Sequence, residues 1–108
     1  MLLDHGADVN LTADNGVTVL MVAAAKGDRT IIDLLIKRGA KVNARDSEGR
    51  TPLWMAASEG KPDAAAILLS QGADPNATAD NGVTALKAAT RRGHREVAKL
   101  LRSRGALQ

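Results

Sequence analysis

The sequence predicts an all-α solenoid, in which stacked helix-turn-helix units are joined by β-turn or hairpin-like loops. The main observation is a 33-residue repeat, since Gly-Ala-Asp-Val-Asn at 6–10 returns as Gly-Ala-Lys-Val-Asn at 39–43 and as Gly-Ala-Asp-Pro-Asn at 72–76. All ten glycines lie on the same lattice, at positions 6, 39, 72 and 105, at 16, 49 and 82, and at 27, 60 and 93. A repeat this short cannot bury its apolar face alone, so neighbouring units must stack.

The composition agrees with thin stacked layers. The chain has 108 residues, 44% of them hydrophobic, with no Phe or Tyr and one Trp, Trp54. Small and branched side chains must therefore build the interior, and they suit narrow spaces between close helices. The absence of Cys excludes disulfides and thiolate metal sites. No apolar run approaches the roughly 18 residues of a membrane span and no signal segment is present, so a cytoplasmic location is expected.

Residues 44–76 illustrate one unit. A polar turn comes first, and Thr51 then caps a short helix in which Pro52 takes the first position, where its missing N–H costs nothing. Gly60 ends that helix in a left-handed conformation. Pro62 starts a second helix, which ends at Gly72. Each unit is therefore predicted as turn, helix, tight turn, helix and extended loop.

The other units repeat these signals. Thr18 and Thr84 stand where Thr51 caps its helix. The second helices carry apolar residues at the same three places, with helical spacing: Ile31, Leu34 and Leu35; Ala64, Ile67 and Leu68; Val97, Leu100 and Leu101. We therefore expect the three pairs of helices to stack in register.

The period, Thr-Pro-Leu at 51–53 followed by Ala-Ala at 56–57, and the Gly-Ala-Asp-x-Asn loops together resemble ankyrin repeats. The resemblance covers essentially the whole chain, as a single domain 1–108 with full repeats at 11–43, 44–76 and 77–108 and a partial repeat at 1–10. The family's histidine after Thr-Pro-Leu is replaced by Met21, Trp54 and Lys87, so the usual turn hydrogen bond is expected to be missing.

The N-terminal end of the stack is expected to be incomplete. At the 33-residue offset Met1 aligns with Leu34, in the middle of a second helix, so the first unit lacks its first helix. We expect a fragment of a longer array or a reading frame that starts at an internal Met. The alternative is that apolar residues 1–3 pack against a second copy. A monomer is favoured over self-association through this incomplete repeat.

The resemblance implies that a partner protein binds a concave surface, formed by the turn tips and the exposed side of the first helices. The predicted contacts at the tips are Asp14, Asn15, Ser47, Glu48, Arg50, Asp80 and Asn81. Those on the first helices are Met21, Trp54, Ser58, Glu59, Lys87 and Arg91. Trp54, a lone Trp near the centre of the groove with Met21 and Lys87 one unit away on either side, is the candidate anchor. Its alternative role is to fill the space left by the missing histidine and pack on adjacent units.

The charge is concentrated at one end. Residues 77–108 carry seven Lys or Arg and two Asp or Glu, whereas residues 1–76 carry eight and ten. A basic last repeat could bind nucleic acid or another anionic surface. A solvated cap on the last helix is the favoured interpretation, because the aromatic residues that stack on single strands are missing. A purely architectural spacer inside a larger protein is the third alternative.

Catalysis is not expected. The only histidines are His5 and His94, of which His94 lies beside Gly93 at a common family position. Neither a nucleophile elbow nor a phosphate-binding glycine loop nor a His-Glu-x-x-His motif is present. The sequence therefore predicts no enzyme, no catalytic residue, no metal and no cofactor. Asn10, Asn43 and Asn76 recur without a break, which predicts that their amides bond the loop backbone.

Overall fold

The computed structural model describes residues 9–107, which form six helices in three pairs. The helices are α1 (Val19–Lys26), α2 (Arg29–Lys37), α3 (Pro52–Ser58), α4 (Pro62–Ser70), α5 (Ala85–Arg91) and α6 (Arg95–Ser103). The first helices pack α1 on α3 on α5, and the second helices pack α2 on α4 on α6. The body measures 41 × 25 × 20 Å. This two-layer stack confirms the predicted all-α solenoid.

The capping residues predicted from the sequence start the first helices. The hydroxyl oxygens of Thr18, Thr51 and Thr84 each accept a hydrogen bond from the backbone N–H three residues later. Pro52 and Pro62 occupy the first turn of α3 and α4, as predicted. Isolated antiparallel bridges join residue 12 to 18 and residue 78 to 84, so each of these turns is closed like a hairpin before its helix begins.

The core lies between the two layers of helices and is built of small and branched side chains. First helices contribute alanines such as Ala24 and Ala57, which are fully buried. Second helices contribute larger residues such as Ile32, Leu68 and Leu101, also fully buried. Alanine lets neighbouring helices approach closely, and the aliphatic side chains fill the remaining space at the density of a protein interior. The layers between the helices are therefore thin, as expected for a chain without Phe or Tyr.

A ladder of asparagine side chains links consecutive loops. The amide nitrogen of Asn43 donates to the main-chain oxygen of Gly72 at 3.0 Å, and its side-chain oxygen accepts from the N–H of Asp74 at 2.8 Å. Asn10 and Asn76 make the same pair of bonds to the loops at 39–41 and 105–107. The predicted structural role of these residues is confirmed. Each amide bonds the loop of the following unit.

Exposure differs between the first unit and the others. Val19 is 46% exposed, whereas Pro52 and Ala85, at the same lattice position, are buried. They are covered because α1 packs against α3 and α3 against α5. Residues 1–3, whose packing against a second copy was the alternative to a monomer, lie outside the described residues, as does most of the partial repeat 1–10. Within 9–107, no helix has the length and apolar character needed to cross a membrane.

Candidate functional site

The tips of the three turns are bonded to one another in a row. The backbone N–H of Ser47 donates to the main-chain oxygen of Asn15 at 2.8 Å. The N–H of Asp80 donates to the main-chain oxygen of Glu48, also at 2.8 Å. The predicted tip contacts therefore form one continuous edge, which we call the tip edge, and each turn supports the position of the next.

Each turn is also shaped from within by a side-chain oxygen. In the outer units the oxygens of Asn15 and Asn81 accept from the N–H groups of Val17 and Val83, at 3.2 and 3.1 Å. In the middle unit Asp46 does this instead, and its Oδ1 accepts from two backbone N–H groups at 2.9 Å. The predicted contacts Asn15 and Asn81 thus also have a local structural role.

Asp46 holds Arg50 in place above Trp54. Its Oδ2 accepts from Nε of Arg50 at 2.8 Å, and Nη2 of Arg50 lies 3.1 Å from the carboxylate of Glu48. The guanidinium carbon of Arg50 is 5.8 Å from the centroid of the Trp54 ring, within cation–π range. Burial acts to raise the pKa of Asp46, but the hydrogen bonds and charge of Arg50 and the N–H of Glu48 outweigh it and lower this pKa below 3.8.

Trp54 packs on the next unit, which is one of the two roles that the sequence left open, and its ring also stays partly accessible. Its indole Nε1 donates to the main-chain oxygen of Val83 at 3.1 Å, so the side chain packs on the next unit. Trp54 is nevertheless only half-buried. On its tip side lies a concavity of about 200 Å³, lined in part by Glu48, Arg50 and Asp80. The ring therefore both joins two units and faces open space.

On the helix side of Trp54 lies a second concavity of about 260 Å³, which we call the second groove. Its apolar lining comes from Trp54, Val83 and Ala88, and its rim carries Arg91 and Arg92. Arg92 is engaged, because its Nη1 donates to Glu59 Oε2 and to the main-chain oxygen of Ser58, both at 3.0 Å. The second groove thus has an apolar floor beside one arginine that is already paired and one that is exposed.

A third concavity, the first groove, lies one unit earlier and holds about 200 Å³. It is lined by Val17, Met21, Val22, Ala25 and Met55, with Lys26 as its charged member. Val22 is 44% exposed. Val22, Met55 and Ala88 were not among the residues predicted from the sequence, although they are 33 residues apart and follow directly after Met21, Trp54 and Lys87. We call the two grooves and the tip-side concavity together the concave surface.

Two of the predicted contact residues line the grooves but expose little surface. Met21 is only 1% exposed, and its thioether sulfur accepts from the N–H of Thr18 at 3.4 Å. Ser58 is 8% exposed, and its main-chain oxygen is covered by Arg92 and His94 of the next unit. Met21 therefore contributes to the wall of the first groove and Ser58 to that of the second, although neither side chain projects from the surface. The exposed or half-buried candidates are Asp14, Asn15, Ser47, Glu48, Arg50, Trp54, Glu59, Asp80, Asn81, Lys87 and Arg91.

Most of the remaining polar groups stabilise the stack of repeat units. His94 precedes α6, and its Nε2 lies 3.0 Å from the main-chain oxygen of Ser58, which ties the second unit to the third. Within residues 9–107, every buried side-chain nitrogen or oxygen has a hydrogen-bond partner. The same stretch contains no group of three or more His, Asp or Glu residues arranged to hold a metal ion. Arg95, Lys99 and Arg102 are exposed along α6.

Paired helices at a 33-residue period, stacked in two layers with a turn before each pair, define a helical-repeat solenoid. The chain belongs to the ankyrin repeat family: a family model described as ankyrin repeats, in three copies, matches residues 1–79 and 47–107. Ankyrin repeats are in general non-catalytic protein–protein interaction modules. A search of curated proteins returned no match.

Proposed function

We propose that this chain is a binding module that holds a partner protein against its concave surface and catalyses no reaction. One observation carries the proposal. Trp54, the only large aromatic residue in the chain, lies between two open concavities at the centre of the stack. Tryptophan is enriched among the residues that dominate binding energy at protein interfaces. No comparable feature is found on α6, where the exposed residues are mainly charged.

The concave surface is held in shape before any partner binds, which supports the proposal. Arg50 is fixed between Asp46 and Glu48, and the indole of Trp54 is bonded to Val83. The turn tips are joined by backbone hydrogen bonds. A surface already ordered loses little side-chain and loop entropy on association, so more of the contact energy contributes to affinity.

Site-directed photo-crosslinking tests which face binds. A photoreactive amino acid is introduced at Val22, in the first groove, and separately at Lys99, on α6. Both positions are exposed, which limits the effect of the substitution on folding. After irradiation in lysate from the source cells, we expect a discrete protein adduct from position 22 and none from position 99.

The control is a Trp54→Ala version of the position-22 probe, shown to be folded by circular dichroism, in which the adduct should be strongly reduced. Adducts formed equally from both positions, or only from position 99, would contradict binding at the concave surface. A chain that forms no adduct from either position would favour the architectural spacer.

A second candidate function is binding of an anionic surface by α6. It rests on Arg95, Lys99 and Arg102, which are exposed and make no ion pair within the described residues. This function predicts affinity for oligonucleotides that falls steeply as salt rises and is lost in Arg95→Ala/Lys99→Ala/Arg102→Ala. Binding that is unaffected by this triple variant would exclude α6 as the binding element.

A further inference from the structure

The two grooves of the concave surface differ in chemistry. The first groove is lined by Val17, Met21, Val22, Ala25 and Met55, and Lys26 is its one charged residue. The second groove has its own apolar floor but also two arginines on its rim. The grooves lie one unit apart, because the first is bounded by α1 and α3 and the second by α3 and α5. A segment crossing both would meet an apolar surface first and a cationic one next.

The unpaired charge beside the grooves is positive. Glu59 forms an ion pair with Arg92, with 3.0 Å between Oε2 and Nη1. Lys26, Lys87 and Arg91 are exposed, and none of them forms an ion pair with another residue in 9–107. An anionic group placed here would meet several cations and no competing free carboxylate from α3 or α5.

The tip edge is different because its turns carry more acids than bases. Glu48 lies 3.1 Å from Arg50 and Asp80 lies 3.7 Å from Arg45, whereas Asp14 is exposed and forms no ion pair with another residue in 9–107. Charge on the concave surface is therefore polarised, negative at the turns and positive along the helices. This polarity favours one orientation of a charged partner over the reverse.

We infer that the partner presents an extended, acidic segment, with an aliphatic side chain in the first groove and a carboxylate at Arg91. The inference rests on the proposed function and specifies its ligand. Packed helices are about 10 Å apart, and an extended chain advances about 3.3 Å per residue. The carboxylate should therefore follow or precede the aliphatic residue by about three positions.

A protein segment fits these grooves better than a nucleic acid does. The first groove offers aliphatic side chains, which bury apolar groups but do not recognise phosphates. Base stacking needs exposed aromatic rings, and the chain's only Phe, Tyr or Trp is half-buried with its indole N–H bonded to Val83. Nucleic-acid binding is retained as an outcome of the test.

The test uses the whole chain and synthetic seven-residue peptides. Peptides of the first set have one leucine and carry Glu, Gln or Lys three positions away from it. Peptides of a second set carry Glu one position from the leucine. Binding is followed by the fluorescence of Trp54, which has no other Trp or Tyr to obscure it. We expect the Glu peptide with the three-residue spacing to bind about fivefold more tightly than the Gln peptide at low salt. The Lys peptide should bind most weakly.

The matched variants are Arg91→Glu, in the second groove, and Arg102→Glu, on α6. Both change the net charge of the chain by the same amount. Arg91→Glu should reverse the preference from Glu to Lys, and Arg102→Glu should leave it unchanged. Equal effects of both variants, equal affinity for Glu and Lys peptides, or tighter binding of a single-stranded oligonucleotide would overturn the inference. So would failure of every peptide to bind, whereas the proposed function fails only if crosslinking does not occur at the concave surface.

Discussion

The indole nitrogen of Trp54 and the main-chain oxygen of Val83 are 3.1 Å apart, so the central aromatic residue of one unit is bonded to the turn of the next. The same ring is half-buried, and the guanidinium of Arg50 lies over it. One side chain therefore supports the stack and, in the proposed function, also contacts the partner. A loss of binding on Trp54→Ala alone does not separate the two effects, and the hydrogen bond must be removed without removing the ring.

Trp54→Phe makes that separation. It keeps an aromatic ring but removes the N–H that Val83 accepts, so we expect the free energy of unfolding to fall by about 1 kcal/mol. Trp54→Ala also removes the ring packing and should cost about 2–3 kcal/mol, below the range for a fully buried Trp. Urea unfolding followed by circular dichroism measures both. Equal losses for the two variants would show that the ring itself contributes nothing to the stack.

Asp46 should make stability depend on pH in the acidic range. Its pKa in the folded chain lies below the ordinary value of 3.8, although burial opposes this shift, because Arg50 and the N–H of Glu48 stabilise the carboxylate. A carboxyl with a lowered folded-state pKa contributes stability that is complete above its unfolded pKa and is lost as pH falls through its folded pKa. The native chain should therefore lose this contribution below about pH 4.

Asp46→Asn should remove that part of the acid sensitivity and lower stability at neutral pH by about 1–3 kcal/mol, the range for hydrogen bonds to charged groups. The control is Asp80→Asn, since Asp80 is exposed and its contact with Arg45 is 3.7 Å long. Asp80→Asn should cost less than about 0.5 kcal/mol. Thermal unfolding between pH 3 and pH 7 measures both variants. An unchanged pH dependence in Asp46→Asn would rule out the assigned role.

Gly60 and Gly93 offer a matched test of packing between units. Both have positive φ, +69° and +76°, so alanine is strained at either position. A Cβ at Gly60 would lie 2.5 Å from Nδ1 of His94, whereas a Cβ at Gly93 meets nothing within 4 Å. We expect Gly93→Ala to cost about 1–2 kcal/mol and Gly60→Ala about 1–3 kcal/mol more, because overpacking is added.

The double variant Gly60→Ala/His94→Ala tests the cause of that difference. Removing the imidazole relieves the clash, so the additional cost of Gly60→Ala should disappear when it is measured in the His94→Ala background. Denaturant unfolding of the four chains gives this coupling energy. An additive result would mean that His94 does not limit the space at Gly60.

Features that repeat every 33 residues were predictable from the sequence. Thr51 and Pro52 start their helix as expected because capping depends on local backbone geometry. The positions that differ between units were less predictable. The side chain of Met21 is buried by tertiary packing, although it shares a lattice position with exposed Lys87. Burial at such a position depends on the side chains of the following unit, which a pattern within one unit does not contain.

The side-chain contacts of the central turn were likewise not predictable from the repeat pattern. Asp46 occupies the lattice position of Ala13 and Ala79, yet it does for its turn what Asn15 and Asn81 do for theirs. Its contact with Arg50 requires a buried carboxylate and a guanidinium bent back over the ring of Trp54. The sequence predicted Arg50 and Trp54 in one unit and on the same surface, and it did not predict the part that Asp46 plays. It did not give the side-chain directions, which are fixed by hydrogen bonds within the folded turn.

The asparagine ladder yields the last prediction. Asn43 makes two side-chain hydrogen bonds to the loop of the following unit, to Gly72 and from Asp74. Asn43→Ala removes both and should lower stability by about 1–2 kcal/mol, since each exposed hydrogen bond contributes about 1 kcal/mol or less. Asn43→Asp keeps the acceptor for Asp74 but sets a carboxylate against the oxygen of Gly72, so it should not restore the loss.

Hydrogen exchange locates the effect. The backbone N–H of Asp74 donates to the side chain of Asn43 in the native chain, so it should exchange faster in Asn43→Ala. The backbone N–H of Leu107, which donates to Asn76, should change much less. Uniform acceleration at both amides would indicate global destabilisation without a local role for Asn43. Unchanged protection at Asp74 would contradict the ladder, because within residues 9–107 that N–H donates to no acceptor other than the side-chain oxygen of Asn43.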